Sequence, residues 1–267
     1  NTVVGDEAGT AITTGDYSTF VGYAAGDATT TGLDNTALGA LALTSNTVGA
    51  YNVAIGQSAL HNNVDGSNSV AIGRLALYAQ DPASAVDMYN VAVGYNAGTA
   101  VTTGIQNTLI GGLAGDTLNA ANENVAIGYN ALTNDLKGHR SVAIGTYTLA
   151  AQQFGSSTNT YNVAIGYDAG NDVTTGIQNT LIGGLAGDAL TTSNSNVAVG
   201  YEALSTATTY SENTAIGYRA LKVNAGGYYN TSVGHESMLA NTTGQDNVAV
   251  GHEALKANTT ASYSTAV

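Results

Sequence analysis

The chain has 267 residues, enough for one large core or two modest ones, and its 34 Gly, single Pro, absent Cys and Trp, and 9% charged residues depart from ordinary globular composition. Nineteen acidic against six basic side chains give a net charge of −13, which repels phosphate backbones and excludes nucleic acid as a partner; the lack of Cys excludes a disulfide framework and thiol chemistry. No run of 18 apolar residues occurs and no basic-then-apolar leader opens the chain, so the expectation is a segment that neither inserts into a membrane nor carries its own export signal.

In chain order, one motif keeps returning. NTVVG at 1–5 and STFVG at 18–22 are followed by NTALGALAL (35–43), NVAIGQSAL (52–60) and SVAIGRLAL (69–77). After YAQDPASAVDMYN (78–90) come NVAVGYNAG (90–98), NTLIGGLAG (107–115), NVAIGYNAL (124–132) and SVAIGTYTL (141–149). After LAAQQFGSSTNTYN (149–162) come NVAIGYDAG (162–170), NTLIGGLAG (179–187), NVAVGYEAL (196–204), NTAIGYRAL (213–221), NTSVGHESM (230–238) and NVAVGHEAL (247–255). STAV at 264–267 starts one more.

The motif glycines are Gly5, Gly22, Gly39, Gly56, Gly73, Gly94, Gly111, Gly128, Gly145, Gly166, Gly183, Gly200, Gly217, Gly234 and Gly251. Twelve of their fourteen spacings are 17 residues and two are 21, and such a fixed period is the signature of a solenoid. Seventeen residues is too short for a helical pair and suits one β coil. The prediction is an all-β array over 1–267, with fifteen complete coils and the start of a sixteenth, excerpted from a longer fibre. The stretches at 78–90 and 149–162 are expected to bulge as loops. VTTGIQNTLIGGLAGD stands unchanged at 101–116 and 173–188, so a four-coil block has been duplicated.

Numbering each repeat from its leading Asn or Ser, position 1 is always a short polar residue, suited to amide bonding along the coil axis. Position 2 is Val or Thr and position 4 is Ile, Val or Leu, which reads as a strand whose β-branched face is buried. The constant Gly at position 5 implies φ > 0 or an approach too close for a Cβ. A second short strand is expected over positions 6 to 9, and Gly at position 15 in ten repeats supplies a return turn. Where position 9 is Gly instead of Leu or Met, position 12 is usually apolar, and every large residue at position 3 (Val3, Phe20, Leu109, Leu181) falls in such a repeat. Conservation of volume in a close-packed interior then places positions 3, 9 and 12 in one pocket.

Sites for chemistry are few. GGLAGD at 111–116 and 183–188 departs from the calcium-binding G-G-x-G-x-D repeat in its second pair and in its period. His235 and His252 share position 6 of consecutive coils, each before a Glu, without the spacing of a metal-binding helix motif. Carboxylate pairs such as Asp6 with Glu7 or Asp168 with Asp172 do not stand out from the scattered acids, and no nucleophile has a nearby base. The reading is therefore non-enzymatic, with no catalytic residue, cofactor or metal. Tyrosine is the suggestive pattern: Tyr23, Tyr95, Tyr129, Tyr167, Tyr201 and Tyr218 lie at position 6, and Tyr17, Tyr51, Tyr89, Tyr161, Tyr229 and Tyr263 end repeats. The first set is the candidate recognition surface, since Tyr offers a flat amphipathic face to sugars or proteins; ladder packing between coils is the alternative use.

N-[VT]-A-[IV]-G-x-x-A-L resembles the N-S-V-A-I-G-x-x-S repeat of YadA-like heads in trimeric autotransporter adhesins. It is more similar to the N-T-A-[IV]-G-Y-x-A-L repeats, with SNTTG-like connectors, of bacteriophage tail fibres; NTAIGYRAL (213–221) and LANTTGQDNVAVG (239–251) match best. The resemblance covers the chain but departs in the 17-residue period and the two 21-residue coils. It implies a left-handed parallel β-roll, a homotrimeric rod and an extracellular place on a virion tail fibre that contacts a host receptor, possibly a glycan. The alternative it leaves is a bacterial cell-surface adhesin.

Overall fold

The computed structural model describes residues 1–267 and contains strands and turns but no helix: it is a parallel β-solenoid of about 16 coils, one per 17 residues. The chain divides into two compact units, Asn1–His139 with Gly155–Ser157, and Arg140–Phe154 with Thr158–Val267. In the first unit, three-residue strands run from Thr2–Val4 to Val125–Ile127; in the second, from Val142–Ile144 to Val248–Val250, with Thr265–Ala266 beyond. Within each unit neighbouring strands pair in parallel and in register, as in Thr180↔Val197, Leu181↔Ala198 and Ile182↔Val199.

Positions 2 and 4 face outward, correcting the expected orientation. Position 3 is the inward residue: Ala54, Ala126, Ala198 and Ala215 are fully buried, whereas Leu38, Ile72 and Ile216 at position 4 remain 36–48% exposed. The interior of a 17-residue coil is too narrow for two branched rows, so the smallest residue of the strand turns in. The volume exchange inferred between positions 3, 9 and 12 is present. A Cβ on Gly170 would lie 2.6 Å from Leu181 Cδ1, 3.0 Å from Leu149 Cδ2 and 3.4 Å from Val173 Cγ2.

The strand expected over positions 6 to 9 is a run of turns. Positions 7 and 9 adopt left-handed backbone conformations in every complete coil, with non-glycine examples such as Ser58 (φ 56°) and Leu60 (φ 50°). Each costs roughly 1–2 kcal/mol in an L-residue. Hydrogen bonding to the neighbouring coil nevertheless continues, from Ser58 N–H to Ala40 C=O (3.0 Å) and from Leu60 N–H to Ala76 C=O (3.0 Å). The chain thus satisfies its backbone through the bend, and Leu60 ends fully buried. Position 5 needs glycine twice over. Gly200 has φ +135°, and a Cβ on it would sit 2.4 Å from Gly217 O, a backbone atom that cannot step aside.

Asparagine at position 1 ties each coil across and along. Asn213 N–H donates to Asn196 Oδ1 (3.0 Å), while Asn213 Nδ2 donates to Gly227 C=O (3.1 Å) on the far side of its own coil. Asn230 repeats the pattern with Asn213 Oδ1 (3.1 Å) and Gly244 C=O (2.9 Å). These side chains are fully buried. Where Ser69 replaces Asn it is too short to cross the coil, and Gln80 at position 12 fills in. Gln80 Nε2 donates to Ser69 Oγ (3.1 Å) and Asn63 Oδ1 (2.9 Å), and Gln80 Oε1 accepts from Asn90 Nδ2 (3.0 Å). Ser69 and Gln80 open the first 21-residue coil, whose excursion lies between Asp81, still bonded to Thr102 C=O (3.1 Å), and Val86, which pairs with Gly66. Ser141 and Gln152 (Nε2 to Oγ, 2.9 Å) recur in the second. Gly155, counted at position 15 from the sequence, instead has open space around it in that coil's excursion.

Two outcomes are expected from thermal melts. Gly200→Val should cost about 3 kcal/mol or more, from strain and overlap together, and an unchanged melting temperature would contradict a required glycine. Ser69→Asn alone should destabilise by crowding Gln80, and adding Gln80→Asn should restore the regular arrangement; strictly additive losses in the double variant would show that the two positions are not coupled.

Candidate binding face

Position 6 follows immediately on the outward-turned strand and the bend at position 5, so its side chain leaves the coil into solvent. Tyr23, Tyr95, Tyr129, Tyr167, Tyr201 and Tyr218 all stand there at 40–58% exposure. In-register stacking brings rings from successive coils face to face. Tyr201 and Tyr218 lie 5.9 Å apart at 16°, Tyr218 and His235 5.1 Å at 16°, and His235 and His252 5.0 Å at 10°. The two histidines are therefore the end of an aromatic row. No group of three or more His, Asp or Glu side chains gathers to hold a metal ion. Tyr23 is set apart, flanked at position 6 by Asp6 and Ala40, and Gly112 separates Tyr95 from Tyr129.

Position 7, held in the left-handed conformation, sets a charged group beside the row. The Glu202 carboxylate accepts from Arg219 Nε (2.8 Å) and from Lys222 Nζ, and the Lys222 ammonium does most to hold its pKa below the usual range. Glu236 is held down likewise, first by Lys256. The phenol of Tyr201 is pushed up by its hydrogen bond to Glu202, and that of Tyr167 by its hydrogen bond to Asp168. Guanidinium groups also lie over tyrosine rings, Arg219 over Tyr218 at 5.0 Å and Arg74 over Tyr95 at 5.7 Å. The repeat-ending tyrosines form a separate exposed set, in which Arg140 Nη1 donates to the Tyr161 hydroxyl (3.0 Å).

Sequence reasoning missed the arginines and one carboxylate. Asp188, in the second GGLAGD, has a buried Oδ1 without a hydrogen-bond donor. Burial raises its pKa to about 6, with Asp172 and Asp168 adding to the rise. Its counterpart Asp116 is also raised by burial, but the Thr133 hydroxyl donates to it and draws the value back. Ser205 takes the place of Thr133 in the second block. The signal in the sequence was the divergence after an identical stretch, where Thr117, Asn119 and Thr133 of the first block become Ala189, Thr191 and Ser205.

A carboxyl whose folded pKa lies above its unfolded value holds its proton more tightly when folded. Below about pH 4 both states are protonated and no penalty exists; from pH 4 to about 6 the unfolded state ionises first, and stability falls. Asp188→Asn should abolish that fall and raise the melting temperature at pH 7 by about 2–4 °C, with a smaller gain for Asp116→Asn. A lower melting temperature for Asp188→Asn at pH 7 would mean that the charged form is the stabilising one.

Searches of family models, of curated proteins and of solved structures each returned no match to this chain.

Proposed function

We propose that this chain is a non-enzymatic structural segment of an adhesive fibre, self-associating as a homotrimer with the handedness of a left-handed β-roll. Its most fitting place is the shaft or receptor-facing part of a bacteriophage tail fibre, outside the cell; a bacterial surface adhesin is the second reading. One observation carries the proposal: a branched apolar side chain (Ile, Val or Leu) at position 4 lies outward in every complete coil, beside Val or Thr at position 2, and Ile110, Ile216 and Val250 are 37–39% exposed. Continuous apolar rows of this kind mark association surfaces, and in-register coils present the same row to each copy, as symmetric assembly requires. The row also explains why β-branched residues are retained where the coil interior does not use them. The acidic surface and half-exposed tyrosines suit contact with a host receptor, a glycan among the candidates.

Native mass measurement should give three times the 26.7 kDa chain. Ile182→Glu with Ile216→Glu should convert the assembly to a monomer with unchanged circular dichroism, because both side chains lie on the outer strand face. A stable wild-type monomer would overturn the trimer.

A further inference from the structure

In the second unit, position 6 of successive coils reads Tyr167, Gly184, Tyr201, Tyr218, His235 and His252. From Tyr201 onward the rings stack at 5.0–5.9 Å, so one ring is missing from an otherwise filled row. A Cβ on Gly184 would lie 3.5 Å from Tyr201 Cδ2 and 3.8 Å from Cε2, and would meet nothing else within 4 Å. Tyr201 has Tyr218 on one face, and its other face looks across the gap toward Tyr167. The two rings are two coils apart, about 10 Å at the usual strand spacing, so a group midway lies about 5 Å from each.

That spacing suits a cation. The molecule itself places guanidinium carbons 5.0–5.8 Å from the ring centres of Tyr95, Tyr161 and Tyr218. Charge around the gap has the matching sign. The Tyr167 side leads to Asp168, Asp172 and Asp188, none of which is in an ion pair, whereas Glu202 on the Tyr201 side is already neutralised by Arg219 and Lys222. A pyranose would also stack on tyrosine, but it would bring no positive charge to this acidic side.

The geometry points to the gap at Gly184 as a slot for a guanidinium group, an arginine side chain of a protein partner held between Tyr167 and Tyr201. The ring gap recurs in the first unit, where Gly112 lies between Tyr95 and Tyr129 and a Cβ would be 3.5 Å from Tyr129 Cδ2, but Asn96 and Ala100 stand there in place of Asp168 and Asp172. The inference does not depend on the fibre reading.

The test is an NMR titration of the full chain, carrying Gly112→Tyr to fill the other gap and 13C-labelled at tyrosine, with N-acetyl-arginine methylamide. The Tyr167 and Tyr201 ring signals should shift, and the neutral citrulline analogue should bind at least about tenfold more weakly, as loss of a desolvated cation–π contact and its charge partners demands. Adding Gly184→Tyr completes the row with the commonest residue at that position, and should abolish the shifts at unchanged melting temperature and oligomeric mass. If that variant does not fold, Tyr167→Ala should weaken arginine binding instead. Equal binding of citrulline, retained binding after either substitution, or shifts with methyl glucoside but not with arginine would overturn the slot. A monomeric mass would count against the fibre reading alone.

Discussion

The buried asparagine at position 1 is the constraint on which the rest of the coil depends. Its backbone N–H cannot join the regular ladder, because the adjacent position 2 N–H already takes the carbonyl of the next coil, as Thr214 does with Asn230. The preceding coil's amide oxygen supplies the missing acceptor, and the NH2 group crosses to position 15. One side chain therefore fixes the spacing between coils and the width of each coil. An uncompensated polar group in this interior would cost about 1–3 kcal/mol, which favours residues that complete the set of bonds; Ser18, with Thr29 at position 12, is the exception, and Thr29 Oγ1 has no partner. Ser69 and Ser141 are tolerated because Gln80 and Gln152 reach the same place from position 12.

A width set by one amide leaves a thin interior, and the orientation of the strand follows. Alanine at position 3 is what fits when Leu or Met occupies position 9; Leu109 and Leu181 fit where position 9 is glycine. The branched residues at positions 2 and 4 are then forced outward. The left-handed residues at positions 7 and 9 follow from the same narrowness, since a pleated strand would carry the chain past the coil instead of around it. Their backbone strain is offset by burial of the position 9 side chain and by bonds to both neighbouring coils.

Period, strand class and pocket sharing were legible because each is written as a repeated identity or a correlated exchange of volume. Which face of NVAIG is buried was not legible. Alternation distinguishes two faces of a strand without saying which is inside, and hydrophobicity chose the wrong one because the interior is limited by volume, not by apolarity. The bend over positions 6 to 9 was hidden by Leu and Glu, residues that argue against φ > 0. Gly at position 9 in six repeats, with φ of 54–60°, was the available sign. The tyrosines were visible as a column, but their stacking order depends on which neighbours are rings, so the gap at Gly184 emerged only from the arrangement of coils.

The duplicated block shows how such a scaffold acquires difference without changing shape. VTTGIQNTLIGGLAGD carries the same inward residues in both copies, and Leu109 and Leu181 occupy equivalent pockets. Divergence falls just outside it, as at Thr117 against Ala189 and Thr133 against Ser205, and the Thr133 hydroxyl donates to Asp116 while Asp188 Oδ1 has no donor. A hydrogen-bonded coil thus tolerates change at positions 6, 7 and 10, which the amide crossbar does not touch. Position 5 is constant, and the exchanges at positions 3 and 9 trade volume between them, because these positions bear the coil's bend and volume. Side chains that project from the bend after position 5 can accordingly vary, since a substitution there alters the surface row and leaves the ladder beneath it intact.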